Sequence, residues 1–352
     1  MNMKRLTKLI KAVMLLTAVI ILTQSCKKNE DSRNTNSDKA KLSLQIDSAN
    51  TLYNSATEGK QAGDYATGSK ATLKQAIDLA TQVKTGAFTQ QEVNNANANL
   101  IRAEIAFKNK LILEVSPENL VAYWKFDGDV TDASGNGHNG ALKTNYIGAT
   151  AAAATDGGTV PILTTDRYGA ANKAYAFDKG AYVEIPYNNS LYPSSFSISV
   201  WVKPTVASNG NYIFSVDHYF GYKFQLQGNN FPFLTVSTDA GIHDVDDNPG
   251  AVQLNTWSQL IVTFTPGTIV FYINGKLVKS VTTTGNLIAP KTIVNVCIGN
   301  ELPKTAYNFS DTSNPNYFYG ASYFQGSLDD IRLYNKVLSD AEVNSLYVME
   351  QP

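Results

Sequence analysis

One stretch constrains this chain more than any other: from Leu120 to Gly140 an apolar strand pattern runs straight into a loop of Asp, Asn and Gly. Leu120, Ala122, Trp124 and Phe126 share one face at period two, and Val121, Tyr123 and Lys125 share the other, which predicts a half-buried β-strand. The loop sets Asp127, Asp129 and Asp132 beside Gly128, Gly135, Gly137 and Gly140. Two readings follow. Glycines that permit positive φ can turn carbonyl oxygens inward around a hard cation, or the carboxylates can serve local Asx turns.

Downstream the pattern stays that of strands. Phe196 to Val202 alternates cleanly, as do Tyr222 to Gln227, Leu234 to Thr238, Trp257 to Thr265 and Ile269 to Ile273. Asn274-Gly275, between Ile273 and Lys276, predicts a two-residue hairpin turn with positive φ at both positions. Many short strands separated by turns imply a sandwich or barrel. Ala149 to Pro161, rich in Ala, Thr and Gly, reads as an exposed loop.

The opening strand and loop, with Gly326–Tyr334 and Leu338–Tyr347 far downstream, resemble the laminin-G-like jelly-roll family. Opening strand, closing strand and short final helix follow in that family's order. The resemblance implies a mostly β fold, a concanavalin A-like sandwich over residues 120–350, and binding of glycans or proteins. It also implies Ca²⁺ where the loop and the closing strand meet, mapped here onto Asp127 and Asp329, with Asn136 and the carbonyl of His138 as further ligands. Oxygen-only ligation suits that ion.

Ahead of the sandwich the chain changes character. Lys4, Arg5, Lys8 and Lys11 precede an apolar run from Ala12 to Thr23, too short to span a membrane comfortably and suited to a signal peptide over residues 1–25. Leu22-Thr23-Gln24-Ser25 before Cys26 resembles a relaxed lipobox of Bacteroidetes-like lipoproteins, which implies a diacylated Cys26 at an outer membrane or cell surface. Cys297, in a strand pattern, is then a buried, unpaired thiol. Losing the signal removes four positive and no negative charges, taking the formal net charge from −1 to −5, which argues against nucleic acid as a partner. Residues 26–39 read as a polar tether.

Three amphipathic stripes follow over residues 40–114: Leu42 to Ala56, Leu73 to Val83 and Val93 to Phe107 at spacings of three and four. Thr89 with Glu92 is a capping-box pair. The spacing resembles the FIVAR-type helical module of bacterial surface proteins, which implies a three-helix unit that either binds cell-wall or matrix partners or acts as a spacer; with no aromatic cluster or charge run to mark a binding face, a spacer is expected. Residues 115–119, holding Pro117, form the linker.

The chain carries no Glu-x-Asp-x-x-Glu motif of the kind that arms a laminarinase-type sandwich, no Gly-x-Ser-x-Gly elbow and no zinc-binding histidine pair. Asp329 and Asp330, adjacent on a strand, are expected to point to opposite faces. Asp244 to Gly250 reads as a solvated acidic turn. Between Tyr307 and Phe324, aromatic residues crowd a stretch with no strand or helix period: either the rings pack this long loop onto the sandwich, or Tyr317, Phe318, Tyr319 and Tyr323 form a sugar-stacking platform. Tyr219, Phe220 and Tyr222 form a lesser group. The expectation is a non-catalytic, lipid-anchored surface protein that binds extracellular glycan, with structural calcium. The alternatives are a protein-binding adhesin and, behind it, a glycoside hydrolase.

Overall fold

The computed structural model describes residues 35–352 except 116, 247–251 and 291. The proposed signal segment and Cys26 lie outside these. The chain resolves into two compact units, one holding residues up to Thr51 with Gln75–Arg102, the other Leu52–Lys74 with Ala103–Pro352.

In the first unit the helices bury the stripes their spacing predicts: Leu42, Ile46 and Ala49 on one segment, Ile77 and Ala80 on the next, Val93 and Leu100 on the third. Helix Gln90–Lys108 opens on the expected capping box. The Thr89 amide and hydroxyl donate to Glu92 at 2.8 and 2.9 Å, while the Glu92 amide donates back to Thr89 Oγ1 at 3.4 Å. Among the described residues no helix is long and apolar enough to cross a membrane.

The second unit is a sandwich of two antiparallel sheets. In one, closing strand Gly326–Tyr334 pairs with Phe196–Pro204 and, on its other side, with both Ala174–Phe177 and opening strand Leu120–Trp124. First and last strands therefore meet, as the order of motifs predicted. In the other, Asn211–Val216 lies between Tyr222–Gln227 and Val296–Ile298, and Phe231–Thr238 and Gly241–Asp246 extend it outward. Alternate residues of both sheets interdigitate in one core that includes Trp124, Phe126, Phe196, Phe214, Tyr222, Phe224 and Phe271. The Asn274-Gly275 turn forms as expected, with φ of 50° and 72°.

The opening strand is less half-buried than its alternation suggests. Helix Asp340–Glu350, started by a Ser339–Glu342 capping box, packs with Ile261, Tyr272 and Tyr334 on the outer face of the first sheet, and Leu120 joins that cluster. Cys297 is buried and unpaired, and burial pushes its thiol well above the ordinary range.

Candidate functional site

The glycine-rich loop is built by Asp132. Its carboxylate accepts the amides of Tyr123, Ser134 and His138, each at 2.9 Å. Burial raises this carboxyl, but the hydrogen bonds from Ser134, Tyr123 and His138 outweigh it and leave the pKa below the usual range. Asp129 serves the Thr131 amide in the same way. These are the Asx turns of the local reading.

The residues proposed for calcium do not fit that ion. Asn136 turns its amide nitrogen, a donor, on the carbonyls of Leu120 and Val121 at 2.9 Å. The His138 carbonyl accepts the Trp124 indole N–H at 2.8 Å. Asp127 is half exposed beside Lys173, and Asp329 is held by a guanidinium, that of Arg167, at 2.5 Å. Arg167 thus takes the Asp329 carboxylate, and among the described residues no group of three or more Asp, Glu, His or Cys side chains is placed to share a metal ion.

Asp329 and Asp330 do not diverge as strand alternation predicts. The ladder with Phe196–Pro204 shifts register between Ser199 and Trp201, and Asp330 takes φ 48°. This bulge re-aims the second carboxylate, so Arg167 bonds Asp329 at 2.5 Å and Asp330 at 2.6 Å at once. The cluster continues outward. Arg167 donates to the Glu350 carbonyl at 2.7 Å, the Glu350 carboxylate accepts the Trp201 indole at 2.8 Å, and Arg332 pairs with it in turn. Burial, then the Asp330 charge, push Asp329 up to about 8 against the pull of Arg167. This cluster pins the C-terminal helix to the sheet.

The acidic stretch from Asp244 is in part a strand: Gly241–Asp246 pairs with Phe231–Thr238, and Thr235 donates to Asp244 at 2.6 Å. Residues 247–250 lie outside the described ones.

The aromatic insertion divides. Phe318 is buried, packed against Tyr146, Tyr307 and Phe309, and so belongs to the loop's own core. Tyr323 is half-buried and bridges to Asn300 through its backbone. Tyr317 and Tyr319 do come together, edge to face at 4.8 Å, with Tyr319 71% exposed and its hydroxyl donating to the Thr312 carbonyl. They form one wall of a basin of about 700 Å³. Tyr219 and Phe220 of the lesser group form part of its lining, whereas Tyr222 is in the sandwich core. Asn209, Gly210 and Ser322 edge it, and Tyr212, His218 and Glu301 also line it.

Strand alternation explains what lies beneath. Tyr222, Phe224 and Leu226 enter the core, so Lys223 and Gln225 emerge on the outer face of the sheet, in one row with Thr235 and Ser215. That face would be solvated, yet Lys223, Gln225, Thr235 and Ser215 are all buried, because several segments lie across it: Ser215 donates to the Glu301 carbonyl at 2.6 Å, Gln225 to the Asn209 carbonyl at 2.9 Å, and the Tyr219 ring covers Lys223. Lys223 Nζ donates to Gln225 at 2.9 Å and Tyr212 at 3.3 Å and sits 3.9 Å over the Tyr219 ring. Burial lowers its pKa to about 8, against the pull of Asp244 and Glu301. Glu301 accepts the Tyr307 hydroxyl at 3.0 Å, and burial raises its carboxyl. His218 is depressed to about 4 by burial and then by the Lys223 charge.

From the sequence alone, Lys223, Tyr212, Arg167 and Glu301 had no role in a site. The available signal for Lys223 was a polar residue in an alternating strand facing a long aromatic insertion.

Residues 177–344 match a laminin-G family model described as the concanavalin A-like lectin/glucanases superfamily. No curated protein matches the chain. Among solved structures, the chain is similar to domain 4 of AbnA, a GH43 extracellular arabinanase from Geobacillus stearothermophilus, in complex with arabinotriose, at 20% identity and TM-score 0.47 over 65% of this chain and 98% of that one. It is also similar to the binding domain of Paraclostridial Mosquitocidal Protein 1, at 17% identity and TM-score 0.45 over 66% of this chain and 52% of that one. The binding domain of Botulinum neurotoxin DC, solved with rat synaptotagmin II, is similar at 16% identity and TM-score 0.43, over 66% and 51%. The match thus spans about half of each toxin chain. Residues 177–344, which supply most strands of the two facing antiparallel sheets described above, are thus similar to the concanavalin A-like lectin/glucanases superfamily.

Proposed function

We propose that this protein binds extracellular carbohydrate without cleaving it, in the basin on the outer face of the sheet that carries Lys223 and Gln225. One observation carries the reading: an open basin of about 700 Å³ whose wall is made of Tyr219, Tyr317 and Tyr319, with Glu301 beside them. Aromatic faces stack on the C–H side of sugar rings, and a carboxylate accepts from sugar hydroxyls. The superfamily's description as lectins and glucanases supports the same class of ligand. Between those two, binding is favoured because Glu301 is the one carboxylate among the residues lining the basin, whereas acid–base cleavage of a glycosidic bond uses two. The lipobox-like Cys26 and the signal-like run before it support a lipid-anchored surface location for the same protein.

The test is calorimetric titration of the purified full chain with a panel of polysaccharides, for the wild type, Tyr319→Ala and Tyr219→Ala. Each substitution is expected to weaken binding roughly 3- to 10-fold, in line with about 0.5–1.5 kcal/mol per aromatic contact. Wild-type affinity for no glycan, or affinities untouched by both substitutions, would overturn the assignment.

A further inference from the structure

We infer that the basin is selective for uncharged sugars and rejects uronic and sialic acids. The inference rests on the glycan reading of the basin and adds the class of glycan to it.

A site that takes an anionic sugar presents a cation or a cluster of free amides to its carboxylate. Here Glu301 is the charged residue among those lining the basin, and it repels an anion when ionised and offers no positive charge when protonated. The nearest ammonium, on Lys223, is turned away from any ligand. It is 1% exposed, covered by the Tyr219 ring at 3.9 Å and spent on Gln225 and Tyr212. The next lysine along the covering segment, Lys304, is bound to Asp156 and lies 4.8 Å over the Tyr146 ring. What remains at the surface is uncharged: the tyrosine rings, the exposed Asn209, the Ser322 hydroxyl and the Gly210 backbone. Those groups suit neutral hydroxyls. An anion brought to them would lose its water and gain no compensating charge.

The experiment compares matched pairs that differ chiefly in charge, such as a polygalacturonate against its methyl ester and a sialylated oligosaccharide against the methyl ester of its sialic acid. Each is titrated into the full chain at low salt, where repulsion is least screened. The neutral member of a pair is expected to bind at least 10-fold more tightly. Glu301→Gln, which keeps the shape of the side chain, should narrow that gap. Ala321→Lys, which places a cation on the wall without touching Glu301, should raise affinity for the anionic member several-fold. Melting curves of both variants confirm that they are folded. Equal or tighter wild-type binding of the anionic members, or a gap that neither variant alters, overturns the selectivity and leaves the glycan reading standing. Wild-type binding of neither member of any pair overturns both.

Discussion

Replacing Arg167 by Met should destabilise the sandwich by about 3–5 kcal/mol, the usual consequence of removing one partner from a buried ion pair. Arg167 and Asp329 side chains are 5% and 3% exposed, and the same guanidinium also serves Asp330 at 2.6 Å, so two carboxylates lose their counter-ion together. Methionine keeps most of the length and packing of the stem but loses the donor to the Glu350 carbonyl and the stacking of the guanidinium 4.8 Å over Trp201. The loss has a pH signature. Asp329 stands at about 8 in the folded protein against 3.8 for an ordinary Asp, so between those values the folded state holds a proton that the unfolded chain has released. The stability this proton provides is complete below pH 3.8 and is lost as pH rises through 8. Without Arg167 the carboxyl prefers its proton still more, and the deficit of Arg167→Met should be largest at pH 9 and smaller at pH 5. Urea unfolding followed by tryptophan fluorescence at the two pH values measures it, since Trp201 lies in the cluster. A deficit under 1 kcal/mol at pH 9, or one that does not change with pH, would show that Arg167 does not hold the two acids as described.

Asp132→Ala removes the acceptor of three backbone amides and should cost about 3 kcal/mol in urea unfolding at pH 7. Because the folded pKa of Asp132 is depressed, its contribution is full above the unfolded pKa of about 3.8 and is lost as pH falls through the lower folded value, so wild type and variant should converge only in stronger acid. Chelation should leave the melting temperature unchanged, because Asp329, an acid proposed for calcium, is already paired with Arg167; a drop of several degrees on adding a chelator would restore the metal. Lys223→Met should change stability little or raise it slightly, since a buried ammonium is exchanged for an apolar chain of similar length, and a loss above 2 kcal/mol would show that its bonds to Gln225 and Tyr212 outweigh the desolvation.

Much of the fold was legible because it rests on short-range rules. Alternation marked the strands, Asn274-Gly275 marked its hairpin through the positive φ it needs, and Thr89 with Glu92 marked a helix start that forms as read. The site was legible in part: the aromatic insertion was recognised, and Tyr317 and Tyr319 do face the basin, but composition does not say which ring of a cluster turns inward, and Phe318 did. Asp329 and Asp330 failed for a related reason, since alternation holds only for an unbroken ladder and the bulge at Asp330 breaks it.

The chain by itself determined which segments become strands and helices, because those depend on neighbours a few residues away. Only the tertiary structure decided which charges are free. Arg167 reaches two aspartates more than 160 positions later in the chain, and the Tyr219 ring covers Lys223 while Glu301, from beyond Gly299, lines the basin. Both outcomes depend on which distant surfaces are pressed together, and burial between those surfaces is what turns a side chain into a partner or into a site.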